Sequence, residues 1–145
     1  MFVSLLASAL FFTAAQDASA TPAPTPATAE RYEQAMRCAG VMAATSALHS
    51  FTGDTEGKAR SDRNGRGFIM AATTFAQPLG LTEAQLAEAF SASTALALRP
   101  VTSNLDQAAA DMAIDQLNSD HDGCLRMVQG WMAEAEAAPA PNPPS

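Results

Sequence analysis

Aromatic and basic residues are scarce in this chain of 145 residues. Phe, Trp and Tyr make up 6% of it, and eight Lys and Arg face fifteen Asp and Glu, which gives a formal net charge of −7. Base stacking requires aromatic rings, and phosphate backbones attract positive charge. The composition therefore argues against a nucleic-acid partner, and it also disfavours contact with anionic membrane surfaces.

Sequence motifs of known enzymes and metal sites are missing. The chain contains no GxSxG, HExxH or CxxCH, which would indicate a hydrolase, a zinc protease or attached haem. The helix between Cys38 and His49 would be about 16 Å long, and antiparallel packing would place His121 beside Cys38 and far from His49. We expect no metal site, no cofactor and no enzymatic activity. An enzyme would need a cleft that groups one of these histidines with acids.

An EF-hand calcium loop is present only in its first half. Asn118–Gly123 carries oxygen-bearing side chains at alternate positions, followed by glycine. The twelfth position holds Gln129, where such a loop requires a bidentate Glu, and the apolar spacing of a helix continues through the segment. We interpret the segment as a polar helix junction or an N-cap cluster.

No apolar run is long enough to cross a bilayer, which takes about 20 residues. Residues 2–12 are apolar apart from two serines, and Ala18-Ser19-Ala20 follows with the small-x-small pattern that signal peptidase cleaves. We expect residues 1–20 to be a signal peptide, with no stable membrane anchor after cleavage. The predicted location is periplasmic or secreted.

Two cysteines, Cys38 and Cys124, are the only ones in the chain. In an oxidising compartment an even pair predicts a disulfide, whose loop closure would contribute roughly 4–5 kcal/mol at most. Such a contribution is useful here, because many of the hydrophobic residues, which make up 48% of the chain, are alanines that bury little area.

Proline concentrates in two flanking segments, a linker at residues 21–29 and a disordered tail at residues 138–145. Between them, residues 30–137 show helical spacing and no useful alternation of period two. This pattern predicts an all-α domain, a small up-and-down bundle of about four helices whose first and last members the disulfide joins.

The expected helices have recognisable ends. The first runs from about Glu30 to Phe51, and a short second helix covers residues 68–75. The third begins at Thr82, with Gln85 completing a capping box, and ends at Pro100. The fourth begins near Ser103, and its spacing favours one long helix through Gly123 or two nearly collinear ones.

The segment Leu81–Gln85 is similar to the LTxxQ element of the helical periplasmic stress chaperones related to Spy and CpxP. Those proteins carry the element twice, whereas this chain carries it once. A capping box accounts for all five residues on physical grounds, so the chain is not assigned to that family.

Residues 53–67 contain four glycines and no large apolar side chain, which predicts a long surface loop. This candidate partner-contact loop holds four of the eight basic residues: Lys58, Arg60, Arg63 and Arg66. It could recognise an acidic protein, a phosphate or an envelope polymer, or it could simply be a well-solvated loop.

Two functional hypotheses follow from these features. The first is an exported, non-enzymatic domain that acts through contact with an unknown protein or envelope component. The alternative is a carrier of a small apolar ligand or a metal, with a pocket between the helices. Methionines at helical spacing suggest the carrier, although they also fill gaps in ordinary cores: Met36, Met42, Met70, Met112, Met127 and Met132.

Overall fold

The computed structural model describes residues 25–103 and 106–138. These residues form four helices and no strand: α1 (Pro26–Thr52), α2 (Thr55–Ala76), α3 (Glu83–Thr102) and α4 (Gln107–Ala137). The predicted all-α bundle is confirmed. The predicted signal peptide and nearly all of the Pro-rich tail lie outside the described residues.

Each helix begins after a side chain that accepts a hydrogen bond from its first turn. The caps are Thr25, Asp54, Thr82 and Asp106. At Thr82 the bond is reciprocal, because its backbone N–H donates to Gln85 Oε1 over 2.9 Å. The predicted capping box is therefore confirmed.

The predicted loop at residues 53–67 is wrong, because α2 already begins at Thr55. The connection is only Gly53, in the left-handed conformation with φ 74°, and Asp54. Ion pairs one helical turn apart support the helix, and Gly65 permits close packing because a Cβ there would lie 3.3 Å from Met42 Cβ. Tertiary packing thus overrides the low helix propensity of glycine.

Three predicted boundaries also need correction. The first helix starts at Pro26, inside the expected linker, since proline is well suited to the first turn. Pro100 does not end the third helix, which continues to Thr102 although proline removes one backbone hydrogen bond from the last turn. The fourth helix starts at Gln107 rather than near Ser103, and it does run unbroken through Gly123.

Helix α1 forms the centre of the core. Ten of its residues are buried, against four in α2, two in α4 and none in α3. Gly40 lets α3 approach closely, because a Cβ at this position would lie 2.5 Å from the Ser93 carbonyl carbon. Met42 and Phe68 fill the space between α1 and α2.

Helix α4 is attached at a few defined points. The Cys38–Cys124 disulfide places the two Cα atoms 5.6 Å apart, as predicted for first and last helices in contact. Arg31 forms an ion pair with Glu134, so α4 runs antiparallel to α1. Near the same end, Trp131 meets Phe75 edge to face at a centroid distance of 5.7 Å.

Candidate functional site

A cleft of about 650 Å³ lies between α1, α3 and α4, next to the disulfide. Its volume falls within the range of about 300–1,000 Å³ that is typical of small-molecule sites. The cleft exists because small side chains line it from both sides and leave the space unfilled: Ser93 and Ala97 on α3, and Ala113, Ser119 and Gly123 on α4.

The floor of the cleft is aliphatic. Val41 comes from α1, Leu96 from α3, and Leu117 and Met127 from α4, beside the disulfide itself. No aromatic ring lines the cleft among the described residues. Leu117 is buried, whereas Leu96 is 66% exposed although it faces this space. An apolar molecule in the cleft would cover such surface.

Polar groups stand at the rim. Arg37 immediately precedes Cys38, and Arg126 lies two positions after Cys124, so the disulfide brings both arginines to the same cleft. Asp120 also lines the cleft, and its carboxylate accepts a hydrogen bond from Gln116 Nε2 over 2.9 Å. Within residues 25–103 and 106–138, neither arginine forms an ion pair.

A second, polar cavity of about 230 Å³ lies at the corner between α1 and α2. His49 and His121 both line it, so the prediction that these histidines lie far from each other is wrong. Spacing along the helix axes does not include the reach of side chains, and two side chains on different helices can extend toward the same cavity. His49 Nδ1 lies 2.9 Å from Asp54 Oδ2, and His121 Nδ1 lies 3.3 Å from Asp122 Oδ1.

His49 and Asp54 form the histidine–acid pair that an enzyme would need, but the other contacts of Asp54 are structural. Asp54 caps α2 by accepting from Gly57 N over 2.9 Å, and this bond lowers the pKa of Asp54, helped by the nearby His49 and Arg60. Ser61 lines the cavity, yet no hydrogen bond joins it to His49 among the described residues. The volume is also below the usual range for a ligand site. We interpret this cluster as a structural contact that holds the end of α1 against the start of α2.

In the part of the chain that the structure describes, no three His, Cys, Asp or Glu side chains are grouped so that they could hold a metal ion. Met127 lines the main cleft, whereas Met36 and Met42 belong to the core around α1. The other three methionines are exposed: Met70, Met112 and Met132.

The basic residues expected on a loop lie on α2 instead. Lys58 Nζ is 2.6 Å from Asp62 Oδ2, and Arg60 Nη2 is 3.1 Å from Glu56 Oε1. Two of the four charges are therefore matched by acids on the same helix. Arg63 and Arg66 are exposed and have no ion-pair partner among the described residues.

Apart from Met127 and the two disulfide cysteines, the cleft residues were not identified from the sequence. A signal for them exists in the small side chains at helical spacing, Ser93 and Ala97 on α3 and Ala113 with Gly123 on α4. Small residues of this kind are equally consistent with close helix packing, as at Gly40, so the pattern alone does not distinguish a cavity from a contact.

Comparison of the chain with protein-family models, curated proteins and solved structures finds no match. No helix of the described residues has the length and apolar character required to cross a membrane. The function must therefore be inferred from the geometry of the cleft.

Proposed function

We propose that this protein is an exported, non-enzymatic binding domain that holds a small apolar molecule in the cleft between α1, α3 and α4. The observation that carries the proposal is the cleft itself, about 650 Å³ of unfilled space with an aliphatic floor. Apolar surface facing such a space would gain stability when a ligand removes it from water.

Contact with an unknown protein or envelope component has less support. That hypothesis depended in part on a basic surface loop, whereas the segment is a helix in which Lys58 and Arg60 are already paired. The exposed large apolar side chains are distributed over all four helices: Phe51 on α1, Met70 on α2, Leu96 on α3, and Met112 and Met132 on α4. The cleft offers a more defined site than these surfaces.

Export is the second part of the proposal. The disulfide between Cys38 and Cys124 supports it, since such bonds persist mainly in oxidising compartments. N-terminal sequencing of protein recovered from the producing cells tests it, with a start near Thr21 as the expected result. Recovery of a soluble cytoplasmic form that retains residues 1–20 would contradict export.

Binding in the cleft is tested with the uncharged fluorescent probe N-phenyl-1-naphthylamine and the disulfide-bonded protein. We expect the fluorescence of the probe to rise on mixing. Ala113→Phe should abolish the rise, because the larger side chain fills the cleft from α4. Ala133→Phe is the matched control, since Ala133 is exposed on the same helix and lies outside the cleft.

Two results would contradict the proposal. One is no response of the probe to the native protein. The other is an equal response from both alanine variants, which would place the probe elsewhere. Circular dichroism of each variant confirms that the helices are intact before binding is compared.

A further inference from the structure

We infer that the cleft prefers amphiphiles in which an aliphatic chain ends in a carboxylate, with Arg37 and Arg126 as the groups that recognise the anionic end. This inference rests on the proposed binding function and names the chemical class of its ligand. It depends on three independent observations: which arginines lack partners, where they lie, and what lines the cleft below them.

The distribution of positive charge provides the first argument. The chain has eight Lys and Arg residues in an acidic background. Arg31, Lys58 and Arg60 form ion pairs with carboxylates, and the other five basic residues have no such partner among the described residues. Two of these five, Arg37 and Arg126, line the one large cleft found in that part of the chain.

The position of the two side chains provides the second argument. The disulfide holds α1 against α4 at Cys38 and Cys124, so residues 37 and 126 remain on the same rim. Arg126 Nη2 lies 3.9 Å from the place that a Cβ on Gly123 would occupy, and Gly123 is part of the cleft wall. The Arg126 guanidinium therefore lies along the cleft.

The charge balance at the rim favours a monoanion. Two guanidinium groups face one carboxylate, Asp120, whose Oδ1 already accepts from Gln116. A guanidinium presents paired N–H donors that match the two oxygens of a carboxylate. Below the rim, the side chains of Val41, Leu117 and Met127 provide aliphatic contact and no ring for stacking. An aliphatic monocarboxylate would pair its carboxylate with the arginines and place its chain against the apolar side chains.

Displacement of bound N-phenyl-1-naphthylamine tests this preference. The competitors are dodecanoate, dodecanol, dodecyl phosphate and dodecyltrimethylammonium, each below its micelle concentration at neutral pH. They share one chain length and differ in the end group. We expect dodecanoate to displace the probe at the lowest concentration and the cationic amphiphile at the highest.

Removal of the positive charge provides the matched comparison. The double variant R37Q/R126Q should weaken dodecanoate binding by up to about 25-fold, since each exposed ion pair is worth up to about fivefold in affinity. Dodecanol binding should stay unchanged. Arg63→Gln, which removes one exposed charge from α2 outside the cleft, should leave both competitors unaffected.

The outcomes separate this inference from the proposed function. If the native protein binds the probe but dodecanol or dodecyl phosphate competes as well as dodecanoate, the carboxylate preference is wrong and the binding function stands. An unchanged dodecanoate affinity in R37Q/R126Q would likewise overturn the role of the arginines. Failure of the native protein to bind the probe would contradict the binding function itself.

Discussion

Helices α1 and α4 are joined by the same disulfide, yet they are built in opposite ways. α1 has 27 residues, of which ten are buried, whereas α4 has 31 residues and buries only Leu117 and Cys124. Small residues on α1, such as Ala39, Gly40 and Ala44, let α2 and α3 both pack closely against it. α4 instead carries polar residues over most of its surface. The length of a helix therefore does not determine how many of its residues are buried.

The weak burial of α4 also explains the position of the cleft. Helix α4 is held by the disulfide, one ion pair and apolar contacts of a few side chains such as Leu117, Val128 and Trp131, so it does not need to pack closely along its whole length. Space can remain between α4 and α3 without loss of the fold. In this view the disulfide allows the cleft to stay open, because it replaces packing that would otherwise fill it.

The largest expected effect comes from removing the disulfide. The double variant Cys38→Ser with Cys124→Ser should lose up to about 4–5 kcal/mol, because the unfolded chain regains the entropy of an 86-residue separation. The melting temperature, followed by circular dichroism, should fall by roughly 4–8 °C per kcal/mol.

Hydrogen exchange on the same double variant sharpens the comparison between the two helices. Amides of α4 should lose protection while those of α1 remain protected, because α4 loses its covalent attachment and buries far fewer residues than α1. Equal loss of protection in both helices would show that α4 is held by packing rather than by the disulfide. A melting temperature within a degree of the native value would contradict the stabilising role.

A matched pair of glycine substitutions should give effects of opposite sign. Gly40→Ala places a Cβ 2.5 Å from Ser93 on α3, and we expect overpacking to cost about 1–3 kcal/mol. Gly130→Ala on α4 meets nothing within 4 Å, and it should stabilise the helix by about 0.5–1 kcal/mol. Urea unfolding measures both. Equal effects at the two sites would remove the contrast between α1 and α4.

The smallest effect concerns pH and the contact between α1 and α2. Hydrogen bonds from Lys58 and then from Ser46 lower the pKa of Asp62 below its ordinary value of 3.8. Because the folded pKa is lower than the unfolded one, the carboxylate stabilises the fold above that ordinary value. The contribution disappears as the pH falls through the folded pKa.

Asp62→Asn should therefore reduce stability at neutral pH and flatten its decline in acid. Ser46→Ala, which removes a 2.5 Å bond to Asp62 Oδ1, should flatten the decline partly. Thermal unfolding across the acid range measures both variants. An acid decline as steep in Asp62→Asn as in the native protein would show that other carboxylates dominate it.

Features with a local cause were predicted from the sequence. The capping box at Thr82 and Gln85 depends on residues three apart, and the unbroken α4 depends on a continuous helical spacing. The disulfide followed from an even cysteine count in an expected oxidising setting. The helical state of residues 55–67 was missed, because glycine and charged residues indicate a loop unless a neighbouring helix such as α1 stabilises them.

The amino-acid order was sufficient for the all-α class, the four helices and the covalent link between the first and the last. Each of these depends on periodicity, on caps or on two residues that pair. The cleft and the shared hollow of His49 and His121 arise only when the helices take their places. A cavity is volume that no side chain fills, and that volume depends on the distances and angles between elements. Arg37 and Arg126, 89 positions apart in the chain, meet at one rim for the same reason, because the Cys38–Cys124 bond fixes α4 against α1.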